Sequence, residues 1–284
     1  MSNYRDHLDR LIDLALDEDL GACGDVTTQA LVSPTLLGRA ELWAKEPMVL
    51  SGVEAFERTF LRYDARVKVK WLARAGQKVG PRARVATVTG KMRSLLIAER
   101  TALNLMQRAC GMATLAHEAA LAVKGTSLRV LDTRKTPPGL RALAKQAVRD
   151  GGAHNHRFGL FDGVLIKDNH IAAVGGSVKK AIRLAREKSP QLTKIEVEVT
   201  TLAQLKEALA EGVDVVMLDN MGDADISKAV ALAQKRVTLE VSGGITLERL
   251  STLARLGVDC VSMGALTHSA RAMDLSLEIL KARS

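Results

Sequence analysis

Apolar and polar positions change rhythm twice along this chain. Between residues 4 and 18, Leu8, Leu11, Ile12 and Leu16 recur at helical spacing among charges, which predicts an amphipathic helix. From Gly38 to about Gly90 the stretches GRAELWAKEPMVLSG, ARVKVKWLARAGQKV and ARVATVTG alternate apolar with polar and are cut by Gly and Pro. That period of two predicts strands. A long helical run begins at Ser94, carrying Leu95, Leu96, Leu103, Leu105, Met106 and Leu115, with Gly111 as an expected interruption.

From Arg129 onward short β-rich runs recur at 129–134, 161–167, 194–199, 214–219, 237–244 and 258–264. Helical stretches separate the later ones, at 177–188, 202–210, 223–234 and 246–255. Serial strand–helix alternation predicts a parallel sheet with crossover helices, and the absence of a Rossmann glycine turn favours a (β/α) barrel. The reading is an α/β protein: a first domain over 1–115 with a possible contribution from the tail 270–284, and a barrel over 116–284.

Composition narrows the function classes. The 284 residues carry 41 Lys+Arg against 32 Asp+Glu, a formal charge of +9, with 47% apolar residues and 3% aromatics. The apolar fraction excludes a disordered chain. There is no apolar run of membrane-spanning length, and the N-terminus lacks the apolar block of a signal peptide. Cys23, Cys110 and Cys260 are far apart and form no C-x-x-C, so a reducing cytoplasm is expected. The positive charge suggests an anionic partner. With eight aromatics and no Lys/Arg block, nucleic acid is disfavoured and a small polyanion preferred.

In a barrel of this kind chemistry sits at the C-terminal strand ends. Those ends carry Asp132, Arg134 and Lys135; Lys167, Asp168, Asn169 and His170; Glu196 and Glu198; Asp219 and Asn220; Glu240, Ser242, Gly243 and Gly244; and Gly264. In KIEVEV the two glutamates share one strand face and the apolar residues the other, so both carboxylates point into the barrel and need cations. SGG before a helix start has the form of a phosphate cradle. Arg141, Lys145 and Arg149 recur at helical spacing and read as a solvated face. A metal site built from His154, His156 and His170 lacks a placed third ligand. A Schiff-base aldolase using Lys135 or Lys167 stays open on the residues alone.

Eight stretches bring a family into view: EDLG with GDVTT (18–28), ERTALNLMQR (99–108), LDTRKTPPGLR (131–141), GGAHNHRFGLFDGVLIKDNHI (151–171), IEVEV (195–199), VMLDNM (216–221), EVSGGIT (240–246) and GALTHS (264–269). Together the chain resembles the nicotinate-nucleotide diphosphorylases (carboxylating), also called quinolinate phosphoribosyltransferases. It departs from the family pattern at Ala22-Cys23, which lengthens the first motif, and at Pro137-Pro138.

The resemblance implies an N-terminal α/β sandwich followed by a TIM-like open (β/α) barrel, in a homodimer or larger assembly whose sites are completed across an interface. It implies transfer of phosphoribosyl from 5-phosphoribosyl 1-diphosphate to quinolinate with Mg²⁺, releasing CO₂ and diphosphate in NAD biosynthesis. Carried over residue by residue, Thr133, Arg134, His156, Arg157 and Lys167 surround quinolinate, and Lys135 stands at the reacting centre. Arg100 reaches the neighbouring subunit's site. Glu198 and Asp219 serve the ribose hydroxyls and Mg²⁺. Ser242, Gly243 and Gly244, with Met263, Gly264 and Ala265, hold the 5′-phosphate. Glu196 has a supporting role. A related phosphoribosyltransferase with another acceptor is the rival within this resemblance.

Overall fold

The computed structural model describes residues 2–280, and not the side chains of Ser2 and Asn3. The chain divides into two compact units: 1–117, 136–152 and 269–284 form one, and 118–135 with 153–268 the other. The sequence-based boundary at 115/116 thus lies two residues from a division inside a helix, and a segment of the second predicted domain joins the first unit.

In the first unit α1 (Ser2–Leu20) is followed by α2 (Val26–Leu31), whose start is set by Asp25: its carboxylate accepts from the Thr28 N–H at 2.9 Å. Then come β1 (Leu37–Ala44), β2 (Met48–Val49), α3 (Val53–Tyr63), β3 (Lys68–Trp71), β4 (Lys78–Val79), β5 (Ala83–Lys91) and α4 (Met92–Ala122). The stretch from 38 to 90 is therefore not all strand. Phe56 and Phe60, one helical turn apart, are both fully buried in α3 with ring centroids 5.1 Å apart. An antiparallel sheet runs in the order β12-β1-β5-β3, where β12 is Leu275–Ile279; residues 281–284 of the expected tail lie outside the described residues.

Two sequence expectations are corrected here. Helix α4 runs through Gly111 without a break. The glycine is needed for closeness rather than for a bend: a Cβ there would lie 1.7 Å from the Arg271 carbonyl oxygen. Helix α5 (Arg141–Asp150) is not a uniformly solvated basic face. Leu143, Ala144 and Ala147 pack in one cluster with Leu8, Ile12 and Leu16 of α1, Lys145 is also buried, and Arg149 stays exposed.

The second unit is built on one parallel sheet. Its strands are β6 (Arg129–Leu131), β7 (Val164–Ile166), β8 (Ile195–Val199), β9 (Val215–Asp219), β10 (Thr238–Ser242) and β11 (Cys260–Ser262), in the order β6-β11-β10-β9-β8-β7. The first two strands form the edges, so the barrel is open between them. Intervening helices are α6 (Asp168–Ala173), α7 (Val178–Lys188), α8 (Leu202–Ala210), α9 (Asp223–Ala233) and α10 (Leu247–Leu256), followed by the short α11 (Ala265–His268). Four of the five match the helical stretches read from sequence, and two of these begin at local side-chain caps. Ser177 accepts from the Lys180 N–H and Thr201 from the Gln204 N–H.

The strands are shorter than the apolar runs. Residues 161–163 leave the predicted strand because the Asp162 carboxylate accepts the N–H groups of Phe158 and Gly159, at 2.6 and 2.9 Å, closing a turn. Strand β6 stops at Leu131 because Asp132, fully buried, turns its carboxylate to the Asn155 amide and the His156 N–H at 2.6 and 2.8 Å.

Candidate functional site

The strand ends of the second unit enclose a cavity of about 750 Å³. Its wall includes Thr133, Arg134, Lys135, His156, Arg157, Lys167, Glu198, Asp219, Ser242, Gly243, Gly244, Gly264 and Ala265. Thirteen residues read from sequence thus meet in one place, delivered by the ends of all six strands and by the loop that carries His156 and Arg157. Local bonds explain how each side chain is held. The Lys135 N–H donates to Thr133 Oγ1 at 3.0 Å and its carbonyl accepts from Thr267 Oγ1 at 2.8 Å. Asp132 fixes the backbone of His156, and so the direction in which His156 and Arg157 leave the loop. Lys167 is followed directly by α6, whose start is closed by His170: its Nδ1 accepts the Lys167 N–H at 2.9 Å.

The histidines of this segment therefore part company. His170 is a cap, His154 forms a β-bridge with Leu131, and only His156 enters the cavity wall. No cluster of the three histidines forms. Among the described residues, His156 instead meets Glu196 and Glu240.

The charges in the wall are unequal. Arg134, Lys135, Arg157 and Lys167 face Glu198 and Asp219. One ion pair joins the two sets, Lys167 Nζ to Glu198 Oε2 at 3.3 Å. Arg157 Nη1 donates to the Gly163 carbonyl at 2.8 Å, but Arg157 Nε and Arg134 Nε are buried without a hydrogen bond. Burial, and then the charge of Arg134, hold the Arg157 pKa below its ordinary value. Buried guanidinium donors without acceptors favour an anion with several oxygens.

Opposite these cations the chain turns through Ser242-Gly243-Gly244 into α10. Gly243 and Gly244 have φ of +97° and +58°, and a Cβ on Gly243 would lie 2.1 Å from Asn220 Oδ1. No side chain is tolerated at that contact, while Gly244 faces open space. The turn presents backbone and a helix N-terminus to the cavity, an arrangement suited to phosphate.

Two predicted residues fall elsewhere. Met263 is buried, is absent from the cavity wall, and its N–H donates to the Leu131 carbonyl at 2.9 Å. That bond belongs to the sheet, and Gly264 and Ala265 line the cavity at this strand end. Arg100 belongs to α4 in the first unit, in a hollow of about 180 Å³ with Glu18, Asp19 and Asn104. The wall also contains Asn220 and His268, to which sequence reading assigned no role. Asn220 carried a signal, since it follows a strand-end aspartate; its φ of +53° and its amide donating to Asp219 Oδ2 at 2.8 Å brace both that aspartate and the glycine turn.

Comparison with known proteins is consistent along the whole chain. A family model described as quinolinate phosphoribosyl transferase, C-terminal domain, matches residues 112–278, and the corresponding N-terminal domain model matches residues 25–110. The chain is 39% identical over 272 residues to a probable nicotinate-nucleotide pyrophosphorylase (carboxylating) of Bacillus subtilis, covering 96% of this chain and 93% of that one. It is 41% identical over 290 residues to the chloroplastic nicotinate-nucleotide pyrophosphorylase (carboxylating) of Arabidopsis thaliana, covering 96% and 82%. The solved structure of the nicotinate-nucleotide pyrophosphorylase from Francisella tularensis matches with a TM-score of 0.91 at 40% identity, over 97% of this chain and 96% of that one.

Proposed function

This chain belongs to the quinolinate phosphoribosyltransferase family, and from that premise we propose that its cavity joins quinolinate to 5-phosphoribosyl 1-diphosphate. The products are nicotinate mononucleotide, CO₂ and diphosphate, a step of NAD biosynthesis. The observation that carries the reading is the convergence of four cations, two with buried unpartnered guanidinium nitrogens, opposite a glycine turn at a helix start. One substrate is a planar dicarboxylate and the other bears a phosphate and a diphosphate. Guanidinium forks suit the first and backbone cradles the second.

Arg134, Arg157 and Lys167, with Thr133 and His156, bind and orient quinolinate so that its ring nitrogen faces the anomeric carbon. Ser242, Gly243, Gly244, Gly264 and Ala265 hold the 5′-phosphate. As the C–O bond to diphosphate breaks, positive charge develops on the ribose ring, and Glu198 and Asp219 stabilise it and orient the hydroxyls. Lys135 neutralises charge on the departing group. The pyridinium nitrogen then draws electrons from the adjacent carboxylate, whose C–C bond breaks to release CO₂, and the ring carbon takes up a proton.

Glu198 and Asp219 supply carboxylate oxygens, the hard donors that Mg²⁺ prefers, and would hold an ion arriving with the sugar diphosphate. Bound there, it supplies charge neutralisation for the leaving diphosphate. Arg100, at a hollow of the first unit, completes the site of a neighbouring protomer in a homodimer or larger assembly. The free Cys23, Cys110 and Cys260 fit work in the cytoplasm.

The test is direct. Purified protein with quinolinate, the phosphoribosyl donor and Mg²⁺ forms nicotinate mononucleotide and one equivalent of CO₂, and chelation stops it. Product from nicotinate without CO₂ would overturn the assignment of acceptor.

A further inference from the structure

Directly below the cavity, one side-chain repeat deeper in the sheet, lies a second acidic layer. Glu196 of β8 and Glu240 of β10 share strand faces with Glu198 and Ser242, two residues on. Their side chains are 9% and 3% exposed, and His156, 12% exposed, sits between them. His156 Nε2 is 3.0 Å from Glu196 Oε2 and 3.6 Å from Glu240 Oε1. Nδ1 accepts the Arg157 N–H at 2.7 Å, which leaves the ring proton on Nε2, aimed at Glu196. Both ring nitrogens are thus engaged by the protein. Glu196 Oε1 and Glu240 Oε1 are buried and make no hydrogen bond among the described residues.

Two buried carboxylates on either side of one imidazole are costly to keep ionised together in a dry interior. Burial and the charge of Glu196 raise the Glu240 pKa further than His156, then Ser262 and Arg129, lower it. Strand β11 offers Ser262 and Cys260, β9 offers Met217, and β6 offers the single cation Arg129. Arg157 acts on Glu196 from the other side. A proton on the deeper carboxyl removes the cost.

We propose that Glu240 is a positioning residue of the acceptor pocket: protonated, it lets Glu196 hold His156 and the adjoining Arg157 in place for a dicarboxylate; ionised, it opposes that dicarboxylate from below. This rests on the reading of the cavity as a quinolinate site. Burial, and then the charge of Glu196, push the Glu240 carboxyl up to about 7, so the change of state falls inside the working pH range. The same three groups have ligand atoms within 4.8 Å of one another, so a buried metal ion is the competing occupant.

The test is the pH dependence of KM for quinolinate at saturating donor and Mg²⁺. In the wild type KM rises about tenfold from pH 6 to pH 8.5, as expected for one added buried charge near a dianion. In Glu240→Gln the profile is flat, and at pH 8.5 the variant binds quinolinate more tightly than the wild type. A merely structural role would raise KM evenly. Parallel profiles for the two proteins overturn the proposal, as does an equimolar metal ion that stays with the purified wild type without added Mg²⁺ or substrates and is lost in Glu240→Gln. Should the variant not fold, calorimetry on the wild type at pH 7.5 in two buffers of different ionisation enthalpy decides. Proton uptake on quinolinate binding supports the proposal, and its absence overturns it. A wild type that makes no product from quinolinate refutes the function above instead, so the two failures are distinguishable.

Discussion

Glu198 and Glu196 stand two residues apart on β8 and face the same way, yet their surroundings differ. At the rim, Glu198 is partly exposed, pairs with Lys167 and faces the cavity beside Asp219. In the floor, Glu196 is buried with Glu240 and touches no lysine or arginine at ion-pair distance, only His156. Water and movable cations at the rim keep a carboxylate ionised and available to a substrate. In the dry floor burial pushes the neighbouring Glu240 carboxyl up, and Glu196 becomes scaffold for His156. Depth of one side-chain repeat, rather than residue type, separates the two roles.

The rim half of this comparison is broken by removing its charges. Lys135→Ala has the largest expected effect, a fall in kcat of about 10³-fold with an unchanged thermal midpoint, since its ammonium acts on the departing group. Near-normal kcat would refute that role. Glu198→Gln keeps the shape of the side chain and removes its charge. It should lower kcat by about 10²-fold, mainly at saturating substrate, because the stabilised charge exists only in the transition state. An effect confined to KM would show Glu198 to be a binding group instead.

The rim was legible in sequence and the floor was not, for a physical reason. Strand alternation places Glu196 and Glu198 on one face, and strand-end polarity points to Arg134, Lys135, Lys167 and Asp219 without any coordinates. The glycine turn at 242–244 is equally local. What the floor requires is the pairing of β8 with β9 and β9 with β10, about 20 residues apart, and a loop residue lowered between them, His156, 40 residues from Glu196 and 84 from Glu240. The burial of Leu143, Ala144 and Ala147 against α1 and the continuity of α4 through Gly111 could not be read from periodicity, since each depends on a partner segment distant in sequence. The strand over 161–167 failed for a different reason: Asp162 closes a turn that an apolar run conceals.

The floor half is sharpened by stability against pH. Glu240 titrates in the fold near 7 and in the unfolded chain near its ordinary 4.5. A raised folded pKa means that the native state binds the proton more tightly. The contribution is complete below about pH 4.5 and is lost as pH rises through 7, to a limit on the order of 3 kcal/mol. The thermal midpoint of the wild type should therefore fall relative to that of Glu240→Gln between pH 5 and pH 8, by several degrees. A constant difference across that range would mean that the buried carboxyl does not titrate there.

The smallest effect separates function from stability at the rim itself. Lys167 and Glu198 form an ion pair at 3.3 Å, with the lysine side chain 48% exposed. An ion pair this open to water is screened, and holding a long side chain still costs entropy, so it adds under about 1 kcal/mol to the fold. Lys167→Met should shift the thermal midpoint by less than about 3 °C. The same substitution removes one of four cations from the cavity wall, so KM for quinolinate should rise several-fold, more steeply at low salt. A large loss of stability with little change in KM would reverse the assignment, making the rim pair scaffold and leaving the floor as the layer that answers to substrate.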